Sequence, residues 1–295
     1  MLAATFAFSG PAAASEPQEV PKTTSATLAP SVGHLPQSPP PPATPDVSYN
    51  LRVDMPLAVA SYAAWKSLLA LHPLLAPGHC RWCDEDLNAV DEGTRNALRW
   101  PKSNLTTAQV LSDLSADGLA PAATVGVSAI LAASDQRFSD VPVDILITAQ
   151  AVSLAGVVTQ LVKYSAGRMR PGTRALPPSE RASGRGSTSY VSFYSGHTSY
   201  AFSLAAAAGT IASMRHYPGA GWVWASGLVA ASATGYFRIA ADQHYLTDVL
   251  AAAAGASLIG FAVPYFLHSP ARDLPLRPGL IADDQGALVT LDVLL

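Results

Sequence analysis

A histidine and an aspartate stand four residues apart near the start of one apolar segment, in FRIAADQHYLTDVL at 237–250. If this segment is helical, His244 and Asp248 project from the same face. The carboxylate can then accept the Nδ1 proton of the imidazole, which fixes the tautomer and leaves Nε2 free as a nucleophile. A His–Asp pair that only stabilises a helix start would have the same spacing, so this stretch needs support from others.

A second histidine, His197, follows Ser195 and Gly196 where a polar turn enters an Ala-rich segment, in YVSFYSGHTSYAFSLAAAAG at 190–209. The N-terminus of a helix binds anions through its free N–H groups and its positive dipole end. A histidine beside such an anion can give a proton to a leaving oxygen. The alternative is a plain helix cap followed by a surface histidine.

Basic residues supply the third stretch, KYSAGRMRP at 163–171. Lys163 and Arg170 are seven residues apart and would share a face if the helix continued, and Pro171 then halts it. Two converging cations suit a dianion such as phosphate, although basic residues also flank apolar helices as membrane anchors. Arg238, at the end of another apolar segment, is a third cation, and Arg168 is a spare one near the site.

The elements that must position these residues are six apolar segments, which predict six helices. They are 56–76, 119–133, 141–163, 197–214, 221–238 and 244–267. If consecutive helices run antiparallel, four helix termini lie at the same end of the bundle. They are the C-termini of the third and fifth helices and the N-termini of the fourth and sixth. We therefore expect an all-α, six-helix bundle in which the three stretches meet. Together they predict a phosphoryl-transfer site that needs no metal and no other cofactor.

The composition favours closely packed helices in a membrane. Charged residues make up 13% of the 295, about half the usual share of roughly 25%, and 49% are hydrophobic. The last five segments contain nearly charge-free runs close to the lower length limit for crossing a bilayer, about 17 residues. A formal net charge of -3 gives no indication of a nucleic-acid partner.

The ends of the chain differ from its centre. Residues 1–49 read as a signal-like start and a disordered Pro-rich linker, 50–270 as the helical domain, and 271–295 as a C-terminal tail that is either a short strand or frayed. Cys80 and Cys83 are too few for a cysteine-rich metal site. They form either a local disulfide, which requires an oxidising compartment, or two idle thiols.

The three stretches resemble the type 2 phosphatidic acid phosphatase (PAP2) family, which shares its fold with vanadium haloperoxidases. The family signature is K-x6-R-P, then P-S-G-H, then S-R-x5-H-x3-D. Order and internal spacing match across roughly 56–268. Tyr194 replaces the usual Pro, which can loosen the turn before His197. Phe237 replaces the usual Ser, which can remove a hydrogen bond to the bound anion.

The resemblance implies a role for each site residue. His244 attacks phosphorus and forms a phosphohistidine, Asp248 orients His244, and His197 protonates the leaving alkoxide and later activates water. The phosphoryl oxygens are held by Lys163, Arg170, Arg238 and the amides of Ser195 and Gly196. The implied substrate is a phosphorylated lipid or a small phosphate ester. The alternatives are a vanadium-dependent haloperoxidase and a non-catalytic membrane protein with a degraded site.

The expected location is the bacterial-type cell envelope. We favour an integral membrane protein whose active site lies outside the cytoplasm, with a soluble periplasmic or secreted enzyme as the alternative. A cleaved signal would place the N-terminus outside, whereas six spanning helices with an external site would place it inside. Both can hold only if the helices do not span.

The lack of a carboxylate cluster around the three stretches predicts a reaction that is independent of divalent metal, because Lys, Arg and backbone amides hold the phosphoryl oxygens. Phosphate release should be unchanged after dialysis against EDTA. Activity that disappears in EDTA and returns with magnesium would contradict this expectation.

Overall fold

The computed structural model describes residues 47–83, 87–181, 188–270, 276–283 and 286–293. The signal-like start and most of the Pro-rich linker lie outside the described residues, so those expectations stay predictions. All described residues belong to one unit, Thr44–Leu295.

Helices dominate the described residues. They are α1 (Leu51–Ala70), α2 (His72–Leu75), α3 (Ala89–Leu98), α4 (Leu105–Leu114), α5 (Val127–Ser134), α6 (Val141–Ala166), α7 (Pro171–Arg174), α8 (Pro178–Arg181), α9 (Gly196–Met214), α10 (Ala220–Ala240) and α11 (Leu246–Ala262). Two π-helical turns, Ser115–Leu119 and Ala122–Gly126, connect α4 to α5, and a third, Val263–Leu267, extends α11. The predicted apolar segments coincide with these helical stretches apart from a few terminal residues, and α11 begins at Leu246, after His244. The all-α class of the domain is confirmed, whereas the count of six helices is not.

The C-terminal tail forms a strand rather than a frayed end. Strand β1 (Leu276–Asp283) pairs with β2 (Gly286–Val293) in an antiparallel hairpin, with Leu276 opposite Val293. The hairpin follows the helical domain in sequence and supplies no residue of the predicted site.

The centre of the bundle is α9, in which 13 of the 19 residues are buried. It packs against α6, α10 and α11. Its buried residues are mostly small, with six alanines among the 13, and small residues allow helix backbones to approach closely. Around Ala201 and Leu204 this helix meets Val152 of α6 together with Ala230 and Ala231 of α10. The central position of α9 places its N-terminus, and hence His197, between the ends of its neighbours.

Within the residues that the structure describes, three helical stretches are long and apolar enough to cross a membrane, judged by length and composition. They are Lys102–Ser134, Phe138–Ala166 and Leu246–Leu267. Large apolar side chains also point outward, including Ile130, Val229 and Leu258, each at least 65% exposed. Hydrocarbon rather than water suits such a surface. These features agree with the predicted membrane-embedded bundle.

The close contact of α9 with α11 depends on a glycine. A Cβ atom at Gly260 would lie 2.5 Å from the backbone carbonyl oxygen of Ser203, whereas one at Gly255, on the same helix, would meet nothing within 4 Å. Backbone cannot yield as a flexible side chain does, so a larger residue at Gly260 must separate the two helices.

We therefore expect opposite effects from the same substitution at these two glycines. Gly260→Ala should destabilise the fold by about 1–3 kcal/mol through overpacking. Gly255→Ala should leave it unchanged or stabilise it by up to about 1 kcal/mol, because alanine is the better helix former. Thermal unfolding of the detergent-solubilised protein, followed by circular dichroism, measures both. Equal midpoints for the two variants would show that the contact does not limit packing.

Candidate active site

The C-terminal ends of α6 and α10 and the N-terminal ends of α9 and α11 meet at one end of the bundle. Lys163 of α6 lies against the first turn of α9, where a Cβ atom on Gly196 would be 2.9 Å from its Nζ. The charges of Lys163, Arg170 and Arg238 act on both His197 and His244. The structure thus brings the three predicted stretches together, as the antiparallel order required.

His244 is held by a backbone group. Its side chain is buried, and its Nδ1 lies 2.7 Å from the carbonyl oxygen of Ser192. A carbonyl only accepts, so Nδ1 carries the proton and Nε2 keeps its lone pair. Burial and the charges of Arg170, Arg238 and Lys163 lower the pKa of His244 well below 6.5, which keeps the ring neutral at pH 7. The ring therefore has the tautomer that a nucleophilic Nε2 requires.

Asp248 has a different geometry from the one its spacing suggested. Its Oδ2 lies 3.7 Å from Nδ1 of His244, too far for a hydrogen bond. The same oxygen accepts from the hydroxyl of Ser192 at 2.6 Å and from the backbone N–H of Tyr245 at 2.9 Å. Asp248 therefore positions Ser192, and the carbonyl of Ser192 holds the imidazole. Sequence reasoning missed Ser192 because a backbone acceptor leaves no signal in residue type.

Arg168, the spare cation of the sequence, is 2% exposed and ties Asp248 to a second buried carboxylate. Its Nη1 donates to Oδ1 of Asp248 at 2.6 Å and its Nη2 donates to Oδ2 of Asp91 at 2.8 Å. The guanidinium lies between the rings of Trp82 and Tyr245, at 4.4 and 4.5 Å from their centroids. Arg168 therefore fixes the position of Asp248, which in turn contacts the residues around His244.

Asp91 of α3 completes this support. It accepts from the backbone N–H and the hydroxyl of Thr247, at 2.9 and 2.6 Å, and from Nδ2 of Asn88 at 2.7 Å. Burial alone would raise the pKa of Asp91, but the hydrogen bonds from Thr247, Arg168 and Asn88 outweigh it and lower that pKa. The carboxylate is thus ionised at neutral pH and fixes the first turn of α11.

Arg170 reaches the site from extended backbone. We expected one helix to carry both Lys163 and Arg170, but α6 ends at Ala166 and Gly167 turns the chain with a left-handed φ of 60°. Arg170 lies beyond this turn with φ -71° and ψ 148°, so the two cations do not share a helical face. Its Nη1 donates to the side-chain oxygen of Gln243, a neighbour of His244 that the sequence did not single out.

The expected phosphate-holding groups are unequally placed. The N–H of Ser195 donates to the backbone carbonyl of Asp248 at 3.2 Å, so its amide already has a partner. Gly196 begins α9, and its N–H is one that no helical carbonyl can reach. Arg238 is 4% exposed, and within the described ranges its Nε has no hydrogen-bond partner. Gly196, Lys163 and Arg238 are therefore the donors best placed for an anion.

His197 has a carboxylate partner that its neighbours in sequence do not provide. Its Nε2 lies 3.2 Å from Oδ1 of Asp113, near the end of α4. Burial and the charges of Arg238, Lys163 and Arg170 lower the pKa of His197 to about 3, so the ring is neutral at pH 7 without a bound anion.

The two departures from the family signature have separate surroundings. The Tyr194 hydroxyl is buried and has no hydrogen-bond partner in the part of the chain that the structure describes. Phe237 packs edge-on against Trp100, with ring centroids 6.0 Å apart, and beside Tyr236. Phe237 therefore belongs to an aromatic cluster between α10 and the segment before α4.

Cys80 and Cys83 form a disulfide, the first of the two expected alternatives. The loop they close lies against the turn after α6, where the N–H of Arg81 donates to the carbonyl of Gly167 at 3.1 Å. The disulfide is therefore at the same end of the bundle as the site residues.

Comparison with known proteins supports the resemblance. A sequence model of the PAP2 superfamily matches residues 144–270. Lipid A 1-phosphatase of Porphyromonas gingivalis is 34% identical over 113 residues, which cover 38% of this chain and 21% of that protein. The match thus spans about a fifth of that relative. The matched residues 144–270 carry all three motifs.

A structural comparison gives a more distant likeness. The crystal structure of a transmembrane PAP2-type phosphatidylglycerolphosphate phosphatase from Bacillus subtilis superposes with a TM-score of 0.43 at 21% sequence identity. The superposition covers 68% of this chain and 94% of that one.

The contact between Gly196 and Lys163 predicts a selective effect on anion binding. Gly196→Ala places a methyl group where the ammonium lies, so the ammonium must withdraw. We expect about tenfold weaker inhibition by inorganic phosphate, equivalent to losing roughly one charge-assisted hydrogen bond. Inhibition constants measured against an aryl phosphate test this, with Gly221→Ala as the control because its Cβ would meet nothing within 4 Å. Equal inhibition of both variants would contradict the assignment of Lys163.

Proposed function

We propose that this protein is a phosphatase that removes phosphate from a membrane lipid through a covalent phosphohistidine, without a metal ion. The observation that carries the lipid part of this proposal is an apolar cavity that is continuous with the candidate active site. The superfamily match and the neutral, oriented His244 support the phosphatase part.

The cavity has a volume of about 610 Å³ and includes Lys163, Gly196 and His197 in its wall. The remainder of the wall is mostly apolar or aromatic. It comes from four elements: helix α1, the connection between α4 and α5, helix α6 and helix α9. It includes Trp65, Leu69, Val125, Ile145, Val152 and Leu204. A small phosphate ester would leave such a space unfilled, whereas a lipid would place its phosphate at the polar end and a hydrocarbon chain along the wall.

Aromatic packing shapes one wall of the cavity. The ring of Trp65 packs directly on Gly156, where an added Cβ atom would lie 2.5 Å from the ring. The same ring stacks on Tyr200, with ring centroids 6.3 Å apart. The glycine thus lets α1 bring a flat apolar surface onto α6. The wall is built from packed helices and is formed before a ligand arrives.

The proposed reaction has two steps. Nε2 of His244 attacks phosphorus, the bond from phosphorus to the ester oxygen breaks, and the leaving alkoxide takes a proton from His197. Neutral His197 then takes a proton from water, and the hydroxide attacks the phosphohistidine to release inorganic phosphate and free His244. In both steps Lys163, Arg170, Arg238 and the N–H of Gly196 hold the oxygens on which negative charge develops. Asp248 acts in this scheme by positioning Ser192.

We also propose that the protein is integral to a membrane and that its active site faces an oxidising compartment. Three of the described stretches have the length and apolarity to span, and the curated relative is named as a phosphatase of lipid A. The Cys80–Cys83 disulfide lies at the end of the bundle that carries the site. Disulfides persist outside the cytoplasm, so this end is the extracytoplasmic one.

The cavity predicts that activity depends on chain length. Across a series of monomeric alkyl phosphates, kcat/KM should rise with each added methylene by up to about fourfold, the equivalent of about 0.8 kcal/mol of apolar burial. Ala149→Trp, which places a ring in the cavity wall, should flatten this dependence and leave p-nitrophenyl phosphate hydrolysis nearly unchanged.

The matched control is Ala254→Trp, at an exposed position on α11 outside the cavity wall. It should retain the full dependence on chain length. Hydrolysis that is equally fast for short and long chains would overturn the lipid assignment while leaving a phosphatase. An absence of phosphate release from every substrate would overturn the phosphatase itself.

A further inference from the structure

Asp113 lies outside the three motifs and outside the matched region 144–270. It is the ninth of the ten residues of α4, a helix that packs against α10. Its Oδ1 is 3.2 Å from Nε2 of His197 and 3.5 Å from Nη1 of Arg238. One carboxylate thus contacts both the candidate proton donor and a candidate phosphate holder.

Nε2 of His197 faces Oδ1 of Asp113 at ion-pair distance, 3.2 Å. With Nε2 on the side of the carboxylate, Nδ1 is the nitrogen left to exchange a proton with substrate. In the described part of the chain, Asp113 is the one carboxylate paired with His197.

Burial and the charges around His197 disfavour the protonated ring. Lys163 of α6, Arg170 of the following turn and Arg238 of α10 all disfavour a proton on the ring, and together with burial they lower its pKa to about 3. A general acid must hold its proton when the ester bond breaks. A phosphate dianion in the site offsets part of the surrounding positive charge, and Asp113 adds a fixed negative charge in contact with the ring.

We propose that Asp113 is the positioning residue of the proton donor: it orients His197 through Nε2 and stabilises the imidazolium in the substrate complex. This inference rests on the proposed phosphatase function. In the first step the Nδ1 proton passes to the leaving alkoxide, while Nε2 keeps its own proton beside Asp113. In the second step Nδ1 takes the proton of the attacking water, so each cycle returns the ring to its starting state.

Asp113→Asn tests the proposal because it retains the shape of the side chain and removes its charge. We expect kcat for an alkyl phosphate to fall about tenfold, part of the 100-fold or more that general acid catalysis supplies. The kcat/KM for p-nitrophenyl phosphate, which reports only the steps up to release of the aryl oxide, should change less than twofold, because an aryl oxide needs no proton to leave.

The pH profile supplies a second readout. Protonated His197 is the active form, and loss of the Asp113 charge lowers its pKa in the complex. In the plot of kcat against pH for the alkyl substrate, the midpoint of the basic limb should therefore shift to lower pH by about one unit. Asp113→Glu retains the charge and should keep the limb near its wild-type position, even where a longer side chain lowers kcat.

Two controls separate this role from others. Asp135→Asn removes a carboxylate just beyond the end of α5, away from the site residues, and should leave both the rate and the limb unchanged. In a His197→Ala background, Asp113→Asn should cause little further loss, since the two residues act as one unit.

Several results would overturn the proposal. Equal losses with alkyl and aryl substrates, or a raised inhibition constant for inorganic phosphate, would show that Asp113 acts through Arg238. An unchanged basic limb in Asp113→Asn would remove the electrostatic role. If the wild-type protein hydrolyses both substrates and the variant matches it, this inference alone fails. If the wild-type protein hydrolyses neither, the proposed function fails and this inference falls with it.

Discussion

The arrangement of the site depends on one buried cation, the guanidinium of Arg168 between the carboxylates of Asp91 and Asp248. All three groups are at most 2% exposed. Two carboxylates at that depth need a shared positive partner, and removal of one member of such a cluster typically costs about 3–5 kcal/mol. This cation joins three elements: the loop after α6, helix α3 and the start of α11. The candidate nucleophile His244 is positioned by this joined unit.

The consequences follow outward from that unit. Asp248, fixed by Arg168, holds the hydroxyl of Ser192, and the carbonyl of Ser192 determines the tautomer of His244. The nucleophile is thus positioned through two intermediate contacts. The charges of the candidate phosphate-binding cations Arg170, Arg238 and Lys163 also act on this ring, and burial makes those charges effective. One end of a closely packed bundle therefore combines a charge-balanced support with a site that has excess positive charge.

Sequence reasoning recovered the helices and the meeting of the motifs, because apolar runs and the order of antiparallel helices depend on residue type and chain order alone. Sequence reasoning gave the wrong relative positions for side chains whose placement depends on the residue at which a helix ends. The spacing of Lys163 and Arg170 suggested one helical face, but Gly167 ends α6 first. The spacing of His244 and Asp248 correctly placed them together and still gave the wrong hydrogen bond, since a backbone carbonyl was nearer. Asp91 and Asp113 come from distant segments, and no local pattern links them to the motifs.

The excess positive charge that suits phosphoryl transfer has a consequence for turnover. Arg238 is almost fully enclosed, and its guanidinium would bind departing inorganic phosphate as readily as the group being transferred. A site of this kind favours slow product release, and many enzymes are limited at that stage rather than by chemistry. The side chains of His197 and Asp113 are 37% and 44% exposed, so this edge of the site is partly open to solvent. Under the proposed function, phosphate would leave past His197 and Asp113 into water, and the lipid alcohol would return to the bilayer.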